Sequence, residues 1–197
     1  IIVDDILLNE RGDGLYPFDA ARFGMHGRMG NLLLSNGRVD YENEKVPFGS
    51  IERWRIVNTS NARTFMLSVD GVAKWRLIGT DGGPVSPQEV DRLMTPIGQR
   101  YEVLVTHGLR SVAQLTAHVP TLNENNEVVE AAIPIYKIPV AESDGTASPH
   151  VEWPNRDLSH FSNRKIDREV DIILNGYATD EGIAWTINGM SHPMEPL

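Results

Sequence analysis

The chain has 197 residues, with 18 basic and 27 acidic side chains, a formal net charge of −9 and no cysteine. The length is ample for one domain with a sizeable core. The acidic balance, with no clustering of Lys and Arg, argues against nucleic acid or an anionic membrane as a partner. The absence of cysteine excludes disulfides, thiolate metal sites and a cysteine nucleophile. No apolar run approaches the ~20 residues of a membrane span.

Short segments of alternating apolar and polar residues, separated by Gly, Pro, Asn and Asp, predict strands joined by turns. Residues 51–57 and 64–69 show the alternation well. In each segment one side of the strand is expected to face water and the other to pack in a core. The residues predicted to face inward are Trp54, Ile56, Phe65, Leu67 and Val69.

Three pairs of residues predict turns between these strands. Asp70-Gly71 tolerates the positive φ angles of a two-residue hairpin turn, so residues 72–78 are predicted to return antiparallel to the preceding strand. Asn36-Gly37 is a second hairpin signal of the same kind. Pro96 with Gly98 predicts a turn between residues 89–94 and 100–106.

The remaining segments complete an all-β prediction. Strands are expected at residues 112–119 and 132–140, for a total of about eight or nine. A brief helix is the alternative to a loop at residues 19–29, where two glycines oppose helix formation. Asp81-Gly82-Gly83 predicts a tight loop between strands and no phosphate site, because no helix follows it.

Composition divides the chain into three regions. Residues 1–140 are predicted to form one β-sandwich domain. Residues 141–167, rich in Ser, Pro, Asp, Asn and Arg, are predicted to be a surface linker. Residues 168–197, with strands expected at 168–174 and 183–187, are predicted to be the first strands of a second, incomplete domain. The apolar start at Ile1 and the stop at Leu197 suggest that both ends are cuts in a longer protein.

Four blocks of sequence carry a family resemblance: residues 30–37 (GNLLLSNG), 53–63 (RWRIVNTSNAR), 79–84 (GTDGGP) and 96–105 (PIGQRYEVLV). In order and spacing they resemble the middle domain of bacterial three-domain multicopper oxidases of the laccase-like type. Residues 1–5 look like the strand that enters this domain, and residues 185–190 (WTINGM) look like the opening of the third domain.

The resemblance implies a Greek-key β-sandwich of cupredoxin-like fold. It implies a parent enzyme that oxidises a small-molecule or metal-ion reductant and reduces O2 to water at copper centres in the flanking domains. In this family the middle domain is a copper-free spacer whose loops also help to wall the reductant pocket. It further implies a periplasmic or secreted protein. The corner that resembles such a wall comprises Thr59, Ser60, Asn61, Ala62 and Arg63.

The copper ligands of the family are absent from the sequence. The family supplies them from His-x-His pairs and a His-Cys-His segment, whereas no two of the six histidines here lie closer than ten residues. Met25-His26-Gly27-Arg28-Met29 contains soft ligands, but it is interpreted as packing. We therefore assign no catalytic residue and expect no copper in this chain. The scattered histidines are His26, His107, His118, His150, His160 and His192.

A structural role is the favoured interpretation of the polar residues at this corner. Asn58, Asn61 and Arg63 lie between two strands, where amides bond a bending backbone and a guanidinium ties several carbonyls. Two further functions stay open. One is a copper-free scaffold of the same fold, such as the cell-division proteins that resemble this family. The other is a free-standing sandwich that binds carbohydrate or protein, which would need an exposed aromatic platform.

Overall fold

The computed structural model describes residues 1–17, 19–24, 27–108, 110–143, 145, 151–153, 159–162, 164–180 and 182–191. These residues form thirteen strands and two four-residue helices. The strands are β1 (Ile2–Ile6), β2 (Leu32–Ser35), β3 (Tyr41–Glu42), β4 (Ile51–Asn58), β5 (Phe65–Asp70), β6 (Lys74–Thr80), β7 (Gly83–Glu89), β8 (Leu93–Thr95), β9 (Arg100–Thr106), β10 (Val112–Leu122), β11 (Val128–Pro139), β12 (Leu174–Thr179) and β13 (Gly182–Ile187). The helices are α1 (Ala20–Phe23) and α2 (Ser159–Ser162).

The chain divides into two compact units. Ile1–Leu15 with Met29–Arg156 form the first, and Tyr16–Arg28 with Asp157–Leu197 form the second. The first unit has a six-stranded sheet in the order β2-β1-β4-β9-β6-β7 and a five-stranded sheet in the order β3-β11-β10-β5-β8. The second unit contains the antiparallel pair β12-β13. No helix in the described residues is long and apolar enough to cross a membrane.

The core of the first unit lies between its two sheets, and the predicted alternation is confirmed. Ile56 is 1% exposed, Phe65 and Leu67 are 0% exposed, and Trp54 and Val69 are also buried. Strand β9, which lies beside β4, and strands β10 and β11, which lie in the sheet of β5, supply further apolar residues to this core. The all-β sandwich predicted from the sequence is therefore what the chain forms.

The hairpin predicted at Asp70-Gly71 is wrong. Strand β5 pairs with β10 and β8, whereas β6 pairs with β9 and β7, so the turn carries the chain from one sheet to the other. Gly71 has φ +74°, and a Cβ there would lie 2.1 Å from the Val112 carbonyl oxygen. The glycine is thus required by a close approach of two backbones as well as by its dihedral angle.

The turn predicted at Asn36-Gly37 is confirmed, but it does not open a long hairpin. Asn36 and Gly37 have φ of 48° and 74°, as a type I′ turn requires. Ser35 and Arg38 exchange backbone hydrogen bonds of 2.9 Å around it. Beyond this single bridge the chain leaves the sheet, and β2 pairs with β1 instead.

Other boundaries differ in detail. The segment predicted as one strand at 89–94 is divided between the end of β7 and β8, because Val90–Arg92 carry no strand pairing. Residues 168–173 are not a strand, and β12 begins at Leu174. The loop at Asp81-Gly82 is confirmed as a tight turn, since Thr80 pairs with Gly83 across it.

Candidate functional site

The corner predicted from the sequence follows β4, and a buried amide organises it. Asn58 is 0% exposed. Its Nδ2 donates 2.8 Å hydrogen bonds to the carbonyls of Arg63 and Thr95, and its Oδ1 accepts from the backbone N–H of Ser60 at 3.0 Å and its hydroxyl at 2.7 Å. One side chain therefore closes the loop upon itself and ties it to β8 in the opposite sheet.

An ion pair with β1 fixes the C-terminal end of the corner. The Arg63 Nε donates to Asp5 Oδ2 at 2.6 Å, and its Nη2 donates to the Gly30 carbonyl at 2.7 Å. The Gly30 N–H donates to the same Asp5 oxygen at 2.6 Å. A Cβ on Gly30 would lie 2.5 Å from the Ile6 backbone, so only glycine fits this approach. The guanidinium thus bonds one backbone carbonyl, that of Gly30, and the Asp5 carboxylate, whereas it was predicted to tie several carbonyls.

The five residues of the corner differ in their exposure to solvent. Ser60 is buried, Ala62 and Arg63 are half-buried, and Thr59 and Asn61 are exposed. The Thr59 N–H donates to the Val3 carbonyl at 2.9 Å, which fixes its backbone and leaves its side chain near the surface. Thr59 and Asn61 are therefore the corner side chains most open to a neighbouring molecule.

A second polar cluster lies near the other end of β4, beside the core. His107 is 1% exposed, and its Nε2 lies 2.7 Å from Glu52 Oε2, which also accepts from Trp54 Nε1 at 3.1 Å. The hydrogen bond from His107 lowers the pKa of Glu52, burial opposes that effect, and the Trp54 bond adds to it. This cluster was not recognised from the sequence, because its members lie 55 residues apart.

Stacked aromatic rings continue from this cluster. The Tyr136 ring lies 5.9 Å from Trp54 and stacks on Tyr41 at 5.1 Å with an interplanar angle of 3°. Burial, with the charges of Tyr41 and Glu52 nearby, raises the pKa of Tyr136 to about 12. The phenol stays neutral at ordinary pH, so the aromatic rings serve as packing around a half-buried carboxylate and a buried imidazole.

Copper ligands of the expected kind do not assemble in the described residues. No group of three or more His, Asp or Glu side chains there is placed to hold a metal ion, and a blue copper centre needs a thiolate that the sequence lacks. His107 and Glu52 bond each other, so they do not fit a copper centre either. Met25, His26, His150, His192 and the side chain of His160 lie outside the described residues.

The two stacked sheets and the corner between them define a cupredoxin-like sandwich domain. Residues 2–133 match the sequence model of the family described as multicopper oxidase. The chain belongs to the multicopper oxidase family.

Individual relatives agree with this membership. The chain is 43% identical over 86 residues to a laccase of Arthroderma benhamiae, covering 39% of this chain and 13% of the laccase. It is 38% identical over 106 residues to the cell division protein FtsP of Proteus mirabilis, covering 53% and 21%. The solved structure of the laccase-like multicopper oxidase CueO from Ochrobactrum sp. superposes with a TM-score of 0.60 at 28% identity, covering 80% and 35%. The chain thus spans only a minor part of each relative.

Proposed function

We propose that residues 1–140 act as the copper-free middle domain of an oxygen-reducing multicopper oxidase, that residues 141–167 are a linker, and that residues 168–197 open the following domain. In this role the domain is a rigid spacer that positions copper-bearing neighbours, its partners within the same protein. Electron transfer depends on such placement, so a domain without copper can still be necessary for turnover. The coverage of 35% of the CueO chain is what one domain of three would give.

The single observation that carries the spacer role is how the corner uses its polar groups. Asn58, Ser60 and Arg63 all bond within the fold, to backbone of three separate segments or to Asp5. A catalytic group needs a free lone pair or proton directed at a substrate. The corner instead gives a stiff joint between the two sheets, as a spacer requires.

The proposed start of a following domain rests on a repeated local structure. In the first unit the N–H of Ile2 donates to Asn36 Oδ1 at 2.9 Å, and the Asn36 N–H donates to the Ile2 carbonyl at 2.8 Å. In the second unit Ile173 and Asn188 make the same two bonds, each at 2.9 Å. Both asparagines have positive φ and precede a glycine. Strands β12 and β13 therefore repeat β1 and β2.

The composition of the second unit's surface agrees with an opening strand pair. An isolated two-stranded hairpin is marginally stable in water, and contiguous exposed apolar side chains mark surfaces that dock against other elements. The apolar residues exposed on β12, β13 and the segments beside them are Ile172, Ile173, Leu174, Tyr177, Trp185 and Met190. We infer that further strands of the same protein cover them.

The scaffold alternative has a specific observation in its favour. FtsP of Proteus mirabilis is called a cell division protein, and a second FtsP, from Photorhabdus laumondii, is 37% identical over 92 residues. A middle domain of this kind is compatible with both roles, because the family resemblance assigns the copper ligands to the flanking domains. For both roles we propose a periplasmic or secreted protein, in keeping with the family resemblance.

Copper content separates the two functions. The longest protein expressed from the gene is purified after copper loading, and its mass, copper per chain and O2 consumption with phenolic and metal-ion reductants are measured. A mass near three domains with about four coppers and O2 uptake supports the oxidase. A protein of the same mass that holds no copper and consumes no O2 would establish the scaffold.

The exposed corner residues test the pocket-wall role. In the copper-loaded protein, Thr59→Ala and Asn61→Ala are expected to change KM for a bulky phenol about 3-fold or more while kcat stays constant, since lost wall contacts alter uniform binding. Asn123→Ala, in the turn between β10 and β11, is the matched control. Equal KM in the corner variants and the wild type would limit the corner to a structural role.

A further inference from the structure

We infer that the solvent face of the five-stranded sheet carries a binding site for a soft monovalent metal ion, Cu(I) or Ag(I), formed by Met66, Met94 and His118. The site differs from the copper centres of the family and from the corner, and it does not rest on the proposed function. Soft thioether sulfurs with one imidazole are the ligands that Cu(I) selects in proteins.

Strand register brings the three side chains together. Met66 on β5 pairs with His118 on β10, and Met66 also pairs with Met94 on β8. Directly opposite residues in antiparallel strands have Cβ atoms about 4.5–5.5 Å apart on one face of the sheet. Their neighbours Leu67 and Ala117 are 0% exposed and face the core, so Met66 and His118 share the outer face.

A cavity of about 370 Å³ lies over this row of side chains. All three proposed ligands line it, together with Arg92 and Glu130. His118 retains only 10% of its side-chain exposure even though it lies on the outer face. Met94, by contrast, is 58% exposed, so one thioether is accessible to an incoming ion. The cavity is thus open on the Met94 side and closed around the imidazole.

The partners of His118 prepare one ring nitrogen for a metal. Its Nδ1 is shielded from solvent and lies 3.1 Å from Glu130 Oε1, although the contact falls outside hydrogen-bonding geometry. A carboxylate beside Nδ1 favours the tautomer with the proton there, as in carboxylate–histidine–metal groups. The Nε2 lone pair then accepts the Ser68 hydroxyl at 2.8 Å. A change of the Ser68 χ1 rotamer, which moves Oγ away from Nε2, is then required before that lone pair binds a metal ion.

Charge in the cavity also suits a monovalent ion. Arg92 Nη1 contacts Glu130 at 2.8 and 3.0 Å, so the one carboxylate is already paired with a guanidinium. A divalent ion such as Zn²⁺ would need further anionic or imidazole ligands that the cavity does not provide. The site should therefore bind Cu(I) or Ag(I) in preference to Zn²⁺, because its ligands are soft and because it offers no unpaired anion for a divalent ion.

Neither the histidine pairs nor the Met25–Met29 segment considered from the sequence contains this site. Its members lie 24 and 28 residues apart along the chain, at positions 66, 94 and 118. No sequence motif joins them. Pairing of β8, β5 and β10 is what makes them adjacent.

Silver titration tests the site without redox chemistry. The full chain is labelled at the methionine methyl groups, and Ag(I) is added while the six methyl signals, one for each methionine, are followed by NMR. The signals lost in Met66→Leu and Met94→Leu identify the two ligands. We expect the methyl signals of Met66 and Met94 to shift together with the ring signals of His118. A titration in which neither methyl signal shifts overturns the proposal.

The contribution of each proposed ligand to the Cu(I) affinity is measured in variants that lack it. Under anaerobic competition with a Cu(I) chelator, Met66→Leu and His118→Gln are each expected to weaken Cu(I) binding at the site ~10-fold or more, and Glu130→Gln to weaken it less. Met190→Leu, which removes a thioether from the second unit, is the matched control and should leave this affinity unchanged. Equal affinity in Met66→Leu and Met190→Leu, or Zn²⁺ binding as tight as Cu(I), would contradict the site.

Discussion

Asp5 and Arg63 join the first strand of the chain to the corner after β4. The Arg63 Nε donates to Asp5 Oδ2 at 2.6 Å, with side-chain exposures of 14% for the arginine and 0% for the aspartate. The second carboxylate oxygen, Oδ1, is buried without a hydrogen-bond partner. A charge in this position is stable only while its partner is present.

Asp5→Asn is expected to destabilise the protein strongly, because it leaves the Arg63 guanidinium, whose side chain is only 14% exposed, without a counter-charge. Breaking one partner of a buried pair costs about 3–5 kcal/mol. Urea unfolding of the two proteins measures the difference. Arg92→Gln is the control, since its pair with Glu130 is 46% and 49% exposed and is expected to cost at most about 1 kcal/mol. Similar losses in both variants would contradict a special role for Asp5.

Asn58→Ala is expected to loosen the corner, because it removes the Nδ2 donor to the Arg63 and Thr95 carbonyls and the Oδ1 acceptor of the Ser60 N–H. Each unsatisfied buried polar group costs about 1–3 kcal/mol. Hydrogen exchange of the Ser60 N–H, which loses its acceptor, should accelerate more than global unfolding explains. Asn61→Ala removes an exposed amide from the same corner and should change neither quantity. Unchanged exchange at Ser60 in Asn58→Ala would show that the amide does not hold the loop.

Gly71→Ala is expected to cost far more stability than Gly37→Ala. The two glycines share φ of +74°, so the dihedral cost of about 1 kcal/mol is common to both. Only at Gly71 would the new Cβ meet a backbone oxygen, at 2.1 Å, whereas nothing lies within 4 Å at Gly37. The difference in thermal stability between Gly71→Ala and Gly37→Ala therefore measures the cost of the steric clash at Gly71. Equal losses would mean that the crossover between sheets can shift to admit a side chain.

The ionised Glu52 side chain is expected to stabilise the folded protein, and this contribution is expected to be lost at acidic pH. Its hydrogen bond with His107 holds its folded-state pKa below the ordinary value of 4.5. A carboxylate with a depressed pKa contributes stability that is present above the unfolded pKa and is lost as pH falls through the folded pKa. In urea unfolding between about pH 6 and pH 3, Glu52→Gln should therefore lose less stability on acidification than the wild type.

The exposed Glu124→Gln is the control for that pH series. Glu124 lies in the turn after β10 and has no part in the His107 cluster. Its variant should follow the wild-type acid profile. If Glu52→Gln also follows that profile, the hydrogen bond with His107 does not contribute to the acid dependence.

The sequence predicted much of the fold because a strand's period of two can be read locally. Alternation in residues 51–57 and 64–69 correctly assigned Trp54, Ile56 and Phe65 to the core. Asn36-Gly37 formed its turn for a local reason as well, since both residues adopt positive φ. Asp70-Gly71 gave an equally good signal, yet its strands belong to different sheets. A dipeptide specifies the bend, and the pairing of the strands it joins depends on residues far away in sequence.

At the candidate corner too, the local contacts were predictable from the sequence and the long-range contacts were not. Asn58 and Arg63 were predicted to bond backbone around the turn, and Asn58 does so locally, with the Arg63 carbonyl and the Ser60 N–H. Asp5 and Gly30 were not predicted to join them, because they lie 58 and 33 residues from Arg63. The strand of residues 1–6 carries two adjacent aspartates, Asp4 and Asp5, and nothing in the sequence shows that Asp5 is the buried one.

The sequence by itself determined the all-β class, the apolar faces of the strands, the bends and the family resemblance, since each depends on neighbouring residues or on ordered motifs. Tertiary structure alone decided which strands pair, where the chain crosses between sheets, and which distant polar groups meet. Asp5 with Arg63, Glu52 with His107, and Met66 with Met94 and His118 are brought together by sheet order. Local patterns do not encode sheet order, because the pairing energy of strands is shared over the whole core.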